Sequence, residues 1–293
     1  MLTIITRARC KRPLHFVKVK VYGGRFPTPD AVRPMHSPIS QGPGKRANLI
    51  VRSRADAPHL KKAALAIEQA AWSNLGYLSY TRAHYEYYAE LLDAYPEFQL
   101  CLVDEETDYP VAVASSVPFV CSGPDDLPPE GWDWVVETAA RNNGMKPNIL
   151  GGLAVSVPAV HRSKGYARMI IRSLLQLAGS KGLDGVVVPV RPSAKAMHPW
   201  VPIADYMSWT DDSGRPYDPW LRSHCSVGGK LIGPCERSMV VHEPIAFWEN
   251  WSKKRFERSG DFALEGALAP VKIDLDTQSG TYEEPNVWVS YGA

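Results

Sequence analysis

Hydrophobic positions along the chain alternate between two spacings. Short apolar runs typical of buried strands are interspersed with segments in which apolar residues recur every three or four positions, as in helices with one buried face. From residue 49 onward the pattern predicts a strand, two helices, two antiparallel strands, a helix, and then strand, helix, strand. These elements are predicted at 49–53, 58–72, 81–94, 98–103, 111–119, 132–141, 149–157, 167–178 and 185–190. Their order indicates an α/β (α+β) fold built on a mixed sheet.

The stretch from Ile149 to Ser180 carries the strongest chemical signal. Its strand contains small residues, ends at Pro158, and leads through a short basic turn into the next helix. Unpaired backbone N–H groups at a helix start, together with the helix dipole, favour a bound anion. Gly165 leaves room for a phosphate close to the backbone, while Arg162 and Lys164 add positive charge. The stretch therefore predicts a phosphate-binding turn; an ordinary strand–helix–strand crossover with a solvated basic turn is the alternative.

The six residues Arg162-x-x-Gly165-x-Ala167 resemble the acetyl-coenzyme A (acetyl-CoA) signature of the GNAT N-acetyltransferases. That signature follows a strand, here Leu153-Ala154-Val155, and opens the central helix of the fold. The resemblance extends over roughly residues 49–200. Between Pro158 and Arg162 this chain has one residue more than the usual pattern, which leaves the course of the loop open.

The resemblance implies the GNAT acyl-CoA N-acyltransferase fold, with splayed fourth and fifth strands, flanking helices and a C-terminal extension. It also implies acyl transfer, most commonly of acetyl, from acyl-CoA to a primary amine by direct attack and without a metal. Splayed strands leave backbone groups unpaired, and the pantetheine amides can pair with them as an added strand would. The residues expected to contact the coenzyme are Leu153, Ala154, Val155, Arg162, Ser163, Lys164, Gly165, Tyr166 and Ala167.

A proton donor for the departing thiolate is the next requirement of such a reaction. Many family members carry a Tyr shortly after the fifth strand, but this chain has none there. His198 is the nearest titratable residue and can donate a proton at neutral pH if its pKa stays near 6.5. Tyr206 is the second candidate. Packing between Met197 and Pro199 explains His198 equally well, and Tyr206 also fits a core aromatic residue. The base that deprotonates the amine is not identified.

Residues 200–260 are rich in Trp and Asp and depart from a minimal domain of this family. The cluster predicts either an aromatic, acidic pocket for a cationic amine or an enlarged core with a solvated acidic rim. The members of the cluster are Trp200, Asp205, Trp209, Asp211, Asp212, Asp218 and Trp220. The pattern further predicts helices at 218–226 and 244–251, a hairpin of strands at 230–232 and 239–242, and edge strands at 271–274 and 286–291.

Charged residues are distributed unevenly along the chain, and their distribution predicts a division into two parts. Residues 1–46 hold ten Lys and Arg against one Asp, a balance of +9, and the remainder holds 23 against 30 acids, or −7. We interpret 1–46 as a basic arm rich in Pro and Gly, and 47–293 as the catalytic domain, enlarged from about residue 200. A poorly packed extension is favoured for the arm over a nucleic-acid contact, because the arm lacks the spaced aromatic residues of a stacking platform. An RNA-linked acyltransferase anchored by the arm remains an alternative.

Other features of the sequence limit the partners that we expect. No apolar run reaches the roughly 20 residues of a membrane helix, so no membrane partner is predicted. The five Cys are widely spaced and form no metal-binding pattern, which favours reduced thiols, a cytoplasmic location and no metal. The expected partner is a small-molecule amine, and a homodimer is possible. The missing Tyr keeps a second function open, that of a non-catalytic acyl-CoA sensor.

Overall fold

The structure is a computed structural model and describes residues 48–123, 127–142 and 144–292. The interpretation of residues 1–46 as a basic arm lies outside this part of the chain. The strands are β1 (Leu49–Ser53), β2 (Leu100–Asp104), β3 (Tyr109–Phe119), β4 (Ile149–Ser156), β5 (Gly185–Val190), β6 (Lys230–Pro244), β7 (Gly260–Phe262), β8 (Val271–Asp274) and β9 (Ser279–Gly292). The α-helices are α1 (Lys61–Trp72), α2 (Ala89–Ala94), α3 (Gly131–Ala140), α4 (Tyr166–Ser180), α5 (Ile203–Met207), α6 (Pro219–Cys225) and α7 (Ile245–Ser252).

The predicted elements between residues 49 and 190 are confirmed, with ends that differ by a few residues. The second predicted helix is divided into a π-helical turn, His84–Tyr88, followed by α2. The helix predicted at 218–226 is α6, and Asp218 caps it as its sequence position indicated. The Asp218 side chain accepts hydrogen bonds from the backbone N–H groups of Trp220 and Leu221. Because these features depend on residues close together in the chain, the local pattern was sufficient to predict them.

All nine strands of the described residues join one mixed sheet in the order β1-β2-β3-β4-β5-β9-β8-β7, with β6 along the other edge of β9. The β4–β5 pair is parallel and the other pairs are antiparallel. This arrangement confirms the predicted mixed sheet. It places the strand before the basic turn beside the strand after the central helix.

Alternating residues of the central strands face two separate cores. Leu150 and Val186 lie in the core that the apolar side of α4 covers. Val187, the next residue of β5, lies instead in the core that contains Trp132 and Val135 of α3. Since successive strand residues point to opposite faces, α4 and α3 cover opposite faces of the sheet.

Three predictions for the C-terminal part are wrong. Residues 271–274 are not an edge strand, because β8 pairs with β7 on one edge and with β9 on the other. Residues 230–232 and 239–242 are not two strands of a hairpin, because both belong to β6, which pairs with β9 throughout. The register shifts between Cys235 and Met239, so the interruption is a bulge rather than a turn. It is anchored by the buried Ser238 hydroxyl, which accepts hydrogen bonds from the Trp132 backbone N–H and the Asn286 side-chain amide.

Residues 286–291 are likewise not an edge strand. They form part of β9, which pairs with β5 on one edge and with β6 on the other. The physical reason is the apolar run around Trp288, whose residues are buried on both faces, as in a central strand. Of the helices in the described segments, none is both long and apolar enough to cross a bilayer.

Candidate active site

The fourth and fifth strands separate soon after they meet, as predicted. Only two residue pairs join them, Leu150 with Val186 and Gly151 with Val187. Along its other edge, β4 stays paired with β3 as far as Ser156. The register of that pairing shifts between Ser115 and Ser116, so that Leu153 is an extra residue on β4. The gap therefore opens beside a bulge in β4.

A cavity of about 740 Å³ occupies this gap and extends to both faces of the sheet. Leu174 and Tyr291, which line it, belong to the core under α4. Tyr88 and Trp132, which also line it, belong to the core on the opposite face. A ligand that enters beside α4 can therefore meet a second ligand on the α3 side without crossing a paired strand.

The turn before α4 has the geometry of an anion-binding loop. Ser163 and Gly165 both adopt left-handed backbone conformations, with φ of 63° and 82°. Gly165 is the N-cap residue of α4, and no side chain caps the helix. Its first N–H groups are thus available to a ligand. A Cβ atom built on Gly165 would have only the Arg168 guanidinium within 4 Å, at 3.7 Å, so the space beside it is open.

Most residues expected to contact the coenzyme line this cavity. They are Leu153, Ala154, Val155, Arg162, Ser163, Gly165, Tyr166 and Ala167. Lys164 is not among the lining residues; it is exposed, with its Nζ 3.5 Å from His161 Nδ1. The Leu153 carbonyl already accepts a hydrogen bond from Trp132 Nε1 at 3.0 Å. Arg168, which the motif did not single out, also lines the cavity and adds a second Arg to the phosphate end.

The two proposed proton donors lie in an aromatic cluster instead. Neither His198 nor Tyr206 is among the residues that line the cavity. Tyr206 is 1% exposed and donates a hydrogen bond from its hydroxyl to Asp218 Oδ2 at 3.0 Å. Burial, and then the Asp218 charge, raise the pKa of Tyr206. The His198 ring packs against Tyr206 and Trp209, at centroid distances of 6.0 and 5.0 Å. Their catalytic roles stay predictions, and their position gives those roles no support.

A buried His–Tyr pair lines the cavity on the α4 side. His224 Nδ1 lies 2.6 Å from the Tyr291 hydroxyl. Its Nε2 is buried and has no hydrogen-bond partner among the described residues. Burial lowers the pKa of His224 to about 4, so the ring is neutral at pH 7. The sequence carried no signal for this pair, because the two residues are 67 positions apart.

Two carboxylates line the cavity on the α3 side, and their surroundings differ. Glu284 on β9 is fully buried and pairs with Arg191, which follows β5 and also donates to the Gly266 carbonyl at 2.6 Å. Glu68 on α1 is 9% exposed and accepts hydrogen bonds from the hydroxyls of Tyr88 and Ser115. The sequence analysis did not identify either carboxylate, because no nearby residue distinguishes these two Glu from the others in the chain.

The Trp and Asp residues between 200 and 220 do not assemble into one pocket. Trp220 lines the cavity, whereas Trp200 is 62% exposed. Asp218 caps α6, and Asp211 pairs with Arg215. Within the described ranges, no cluster of three or more His, Cys, Asp or Glu side chains is arranged to hold a metal ion.

Comparison with known proteins gives a relative in Aspergillus versicolor, the arginine N-acetyltransferase avaD. The two sequences are 33% identical over 241 residues, which covers 73% of this chain and 83% of the relative. Among solved structures, the loading GNATL domain of CurA from Lyngbya majuscula superimposes with a TM-score of 0.53 at 18% identity. That match covers 85% of this chain and 98% of the domain.

No family model matches the sequence. The structural match supports the fold, and the similarity to the curated relative extends over most of both chains. The chain therefore belongs to the GNAT superfamily of N-acetyltransferases.

Proposed function

We propose that the chain transfers an acetyl group from acetyl-CoA to the primary amine of a small molecule by direct attack. One observation carries this proposal: the gap between β4 and β5, the bulge at Leu153 and the uncapped start of α4 all face one cavity. Each feature suits one part of a thioester carrier. The uncapped helix start suits the diphosphate, the gap between the strands suits the pantetheine amides, and the bulge suits the thioester carbonyl.

The diphosphate would lie at the start of α4, held by backbone N–H groups and by Arg162 and Arg168. The pantetheine arm would follow β4 into the gap, beside Ala154 and Val155, both of which line the cavity. The thioester carbonyl would then lie near the bulge at Leu153. A backbone N–H group at this bulge would stabilise the oxyanion that develops during attack.

The acceptor would bind on the opposite side of the gap, between α1, α3 and β9. This side presents Glu68 and the Arg191–Glu284 pair. The relative is named as an arginine N-acetyltransferase. L-Arginine and small molecules that carry an arginine side chain are therefore the first acceptors to test. Lysine, agmatine and polyamines complete the panel.

The loop variants Gly165→Val and Arg162→Ala test the coenzyme site by calorimetry with acetyl-CoA. A β-branched residue at φ of 82° is strained and fills the space beside the backbone. We expect affinity to fall at least tenfold in the Gly165 variant. The Arg162 variant removes one charge-assisted contact, worth roughly 1.5–3 kcal/mol, and should lose about ten- to a hundredfold.

Gly144→Val provides the matched control, since Gly144 also has a positive φ, of 77°, but does not line the cavity. It should bind acetyl-CoA as the wild type does. Wild-type affinity in both loop variants would contradict the proposed site.

Release of CoA thiol with the amine panel tests the reaction itself. If the chain is an enzyme, at least one amine of the panel should give CoA thiol and amide in equal amounts. Tight acetyl-CoA binding without thiol release would instead favour the sensor function.

A further inference from the structure

We infer that Glu68 is the general base that takes a proton from the acceptor ammonium group. The inference rests on the proposed function and deepens it, because it fixes where the acceptor nitrogen binds. A lysine-type alkylammonium with a pKa near 10.4 leaves fewer than about one molecule in a thousand as free amine at pH 7, and the less basic α-ammonium of an amino acid is also mainly protonated there. A positioned base therefore has a large effect on the rate.

Glu68 lies beside the point where we place the thioester carbonyl. Its carboxylate lines the cavity and accepts a hydrogen bond from the Ser115 hydroxyl at 2.7 Å. Ser115 is paired across the sheet with Ala154, the residue after the Leu153 bulge. Glu68, Ser115 and the bulge thus form a continuous set of contacts. An amine bound to Glu68 would be held at the bulged segment of β4.

The hydrogen bonds of Glu68 hold its carboxylate without neutralising it. Both donors, Tyr88 and Ser115, are hydroxyl groups. Among the described residues no cationic group forms an ion pair with Glu68 within 4.0 Å. Because both direct hydrogen-bond partners are neutral, a bound cation would further stabilise the buried Glu68 carboxylate. Each carboxylate oxygen retains a second lone pair for the acceptor.

Glu284, the other carboxylate of the cavity, does not meet this requirement. Arg191 pairs with one of its oxygens, and the Tyr282 hydroxyl donates to the other. A carboxylate bound in this way would have to break an ion pair before accepting a proton. We therefore assign Glu284 to the wall of the acceptor site.

Three other titratable or charged groups lie around Glu68 and bear on its protonation. Tyr88 donates to it, and burial raises the pKa of Tyr88 well above its usual value, so the phenol stays protonated. Arg54 acts electrostatically on Tyr88, and its guanidinium is buried without a hydrogen-bond partner in the described structure. His84 stacks on Trp132 and packs at a tilt against Tyr88, and burial lowers its pKa. Because His84 lines the cavity and is neutral, it is the rival base.

In the proposed reaction the acceptor nitrogen loses two protons and gains one bond to carbon. The ammonium gives one proton to the Glu68 carboxylate, and the neutral nitrogen then attacks the thioester carbonyl carbon. The C–N bond forms, the tetrahedral intermediate collapses, and the C–S bond breaks. The nitrogen loses its second proton as the amide forms, the thiolate gains a proton, and Glu68 releases its proton to solvent. The products are the amide, CoA thiol and one proton.

The test compares Glu68→Gln with the wild type, measuring kcat/KM against pH from 6 to 10. The substrate is L-arginine, or the panel amine that gives the highest kcat/KM. We expect a loss of roughly 10²–10⁴-fold at pH 7, the usual contribution of a general base. The loss should shrink as the pH approaches the pKa of the amine, because free amine then needs no base. Acetyl-CoA affinity should stay within about threefold of wild type.

Two further variants serve as controls. Glu90→Gln makes the same change at an exposed carboxylate on α2 and should leave kcat/KM unchanged. His84→Gln should lower kcat at pH 7 by less than about tenfold, whatever it does to KM. If Glu68→Gln keeps wild-type kcat/KM, or if His84→Gln loses as much kcat as is expected for Glu68→Gln, the assignment of Glu68 is wrong while the proposed function stands. If the wild type does not bind acetyl-CoA, the proposed function fails and the assignment fails with it.

If Glu68→Gln does not fold, Ser115→Ala provides a second test of Glu68 as the general base. Removing one of its two hydrogen-bond donors leaves the Glu68 carboxylate less firmly positioned, so kcat/KM at pH 7 should fall at least about tenfold. The maximal kcat/KM at high pH should change by less than about threefold. A wild-type kcat/KM at pH 7 would overturn the inference.

Discussion

Asp133 on α3 is a partly buried carboxylate whose surroundings oppose its charge. Its Oδ2 accepts the backbone N–H of Val240 at 3.0 Å, while Oδ1 has no hydrogen-bond partner among the described residues. Burial raises its pKa from 3.8 to about 7. Asp133 does not line the cavity, so this shift affects stability and not the proposed chemistry.

The Asp133→Asn variant should change how stability depends on pH. Because the pKa of Asp133 is higher in the folded chain, the folded chain binds more protons than the unfolded chain between about pH 4 and 7. The associated stabilisation is present below pH 4 and lost as the pH rises through 7. Asparagine does not titrate, so the variant lacks this pH dependence. The free energy of unfolding of Asp133→Asn minus that of the wild type should therefore rise between pH 4 and 8, by up to roughly 4 kcal/mol.

Urea denaturation at pH 4.5 and pH 8 measures this difference. Asp212→Asn changes an exposed carboxylate in the same way and should follow the wild type at both pH values. Equal pH dependence in wild type and Asp133→Asn would contradict the assigned cause.

At the level of elements, Gly151 sets the distance between α3 and β4. A Cβ atom at this position would lie 2.4 Å from Val135 Cγ1 and 3.0 Å from Phe119 Cε1. Gly151 also belongs to the last pair that joins β4 to β5. The glycine therefore lets a helix pack closely on the sheet at the point where the gap begins.

Gly151→Ala should destabilise the chain by about 1–3 kcal/mol, because the core must shift to accept the extra methyl group. Thermal unfolding measures the effect, which corresponds to a Tm lower by roughly 2–12 °C. Gly179→Ala is the matched control. Gly179 lies in α4, and a Cβ atom there meets nothing within 4 Å. Alanine at 179 should stabilise the helix by about 0.5–1 kcal/mol. A Gly151→Ala variant as stable as wild type would refute the close-packing argument.

At the scale of the whole molecule, the cavity connects two cores that the sheet otherwise separates. Residues of α1, α3, α4, α6 and β9 all line it. A ligand in the gap therefore contacts elements from both faces. Ligand binding should therefore stabilise the whole sheet and not only the turn before α4.

Acetyl-CoA should accordingly raise the Tm of the full chain. A ligand at a hundred times its Kd adds about 2.7 kcal/mol to the free energy of unfolding. For a domain of this size that corresponds to a Tm increase of roughly 5–11 °C. Differential scanning fluorimetry measures it, with Gly165→Val as the comparison at the same ligand concentration. An equal increase in both proteins would place the ligand elsewhere.

The sequence by itself determined the features that depend on neighbouring residues. The strand and helix spacing from 49 to 190 predicted the elements, and Asp218 predicted the start of α6. Gly165 predicted the turn, because a φ of 82° is readily adopted by glycine. The family resemblance added the separation of the fourth and fifth strands, which their pairing confirms. The domain division, homodimer and cytoplasmic location stay predictions.

Only the tertiary structure decided which side chains meet in the cavity. It inserted β9 beside β5, and it placed His198 and Tyr206 in an aromatic cluster away from the cavity lining. It also brought Glu68 to Ser115, which is 47 positions away. Contacts of this kind arise from strand pairing and helix packing across the whole chain. No local spacing encodes them, because each depends on where many distant residues are buried together.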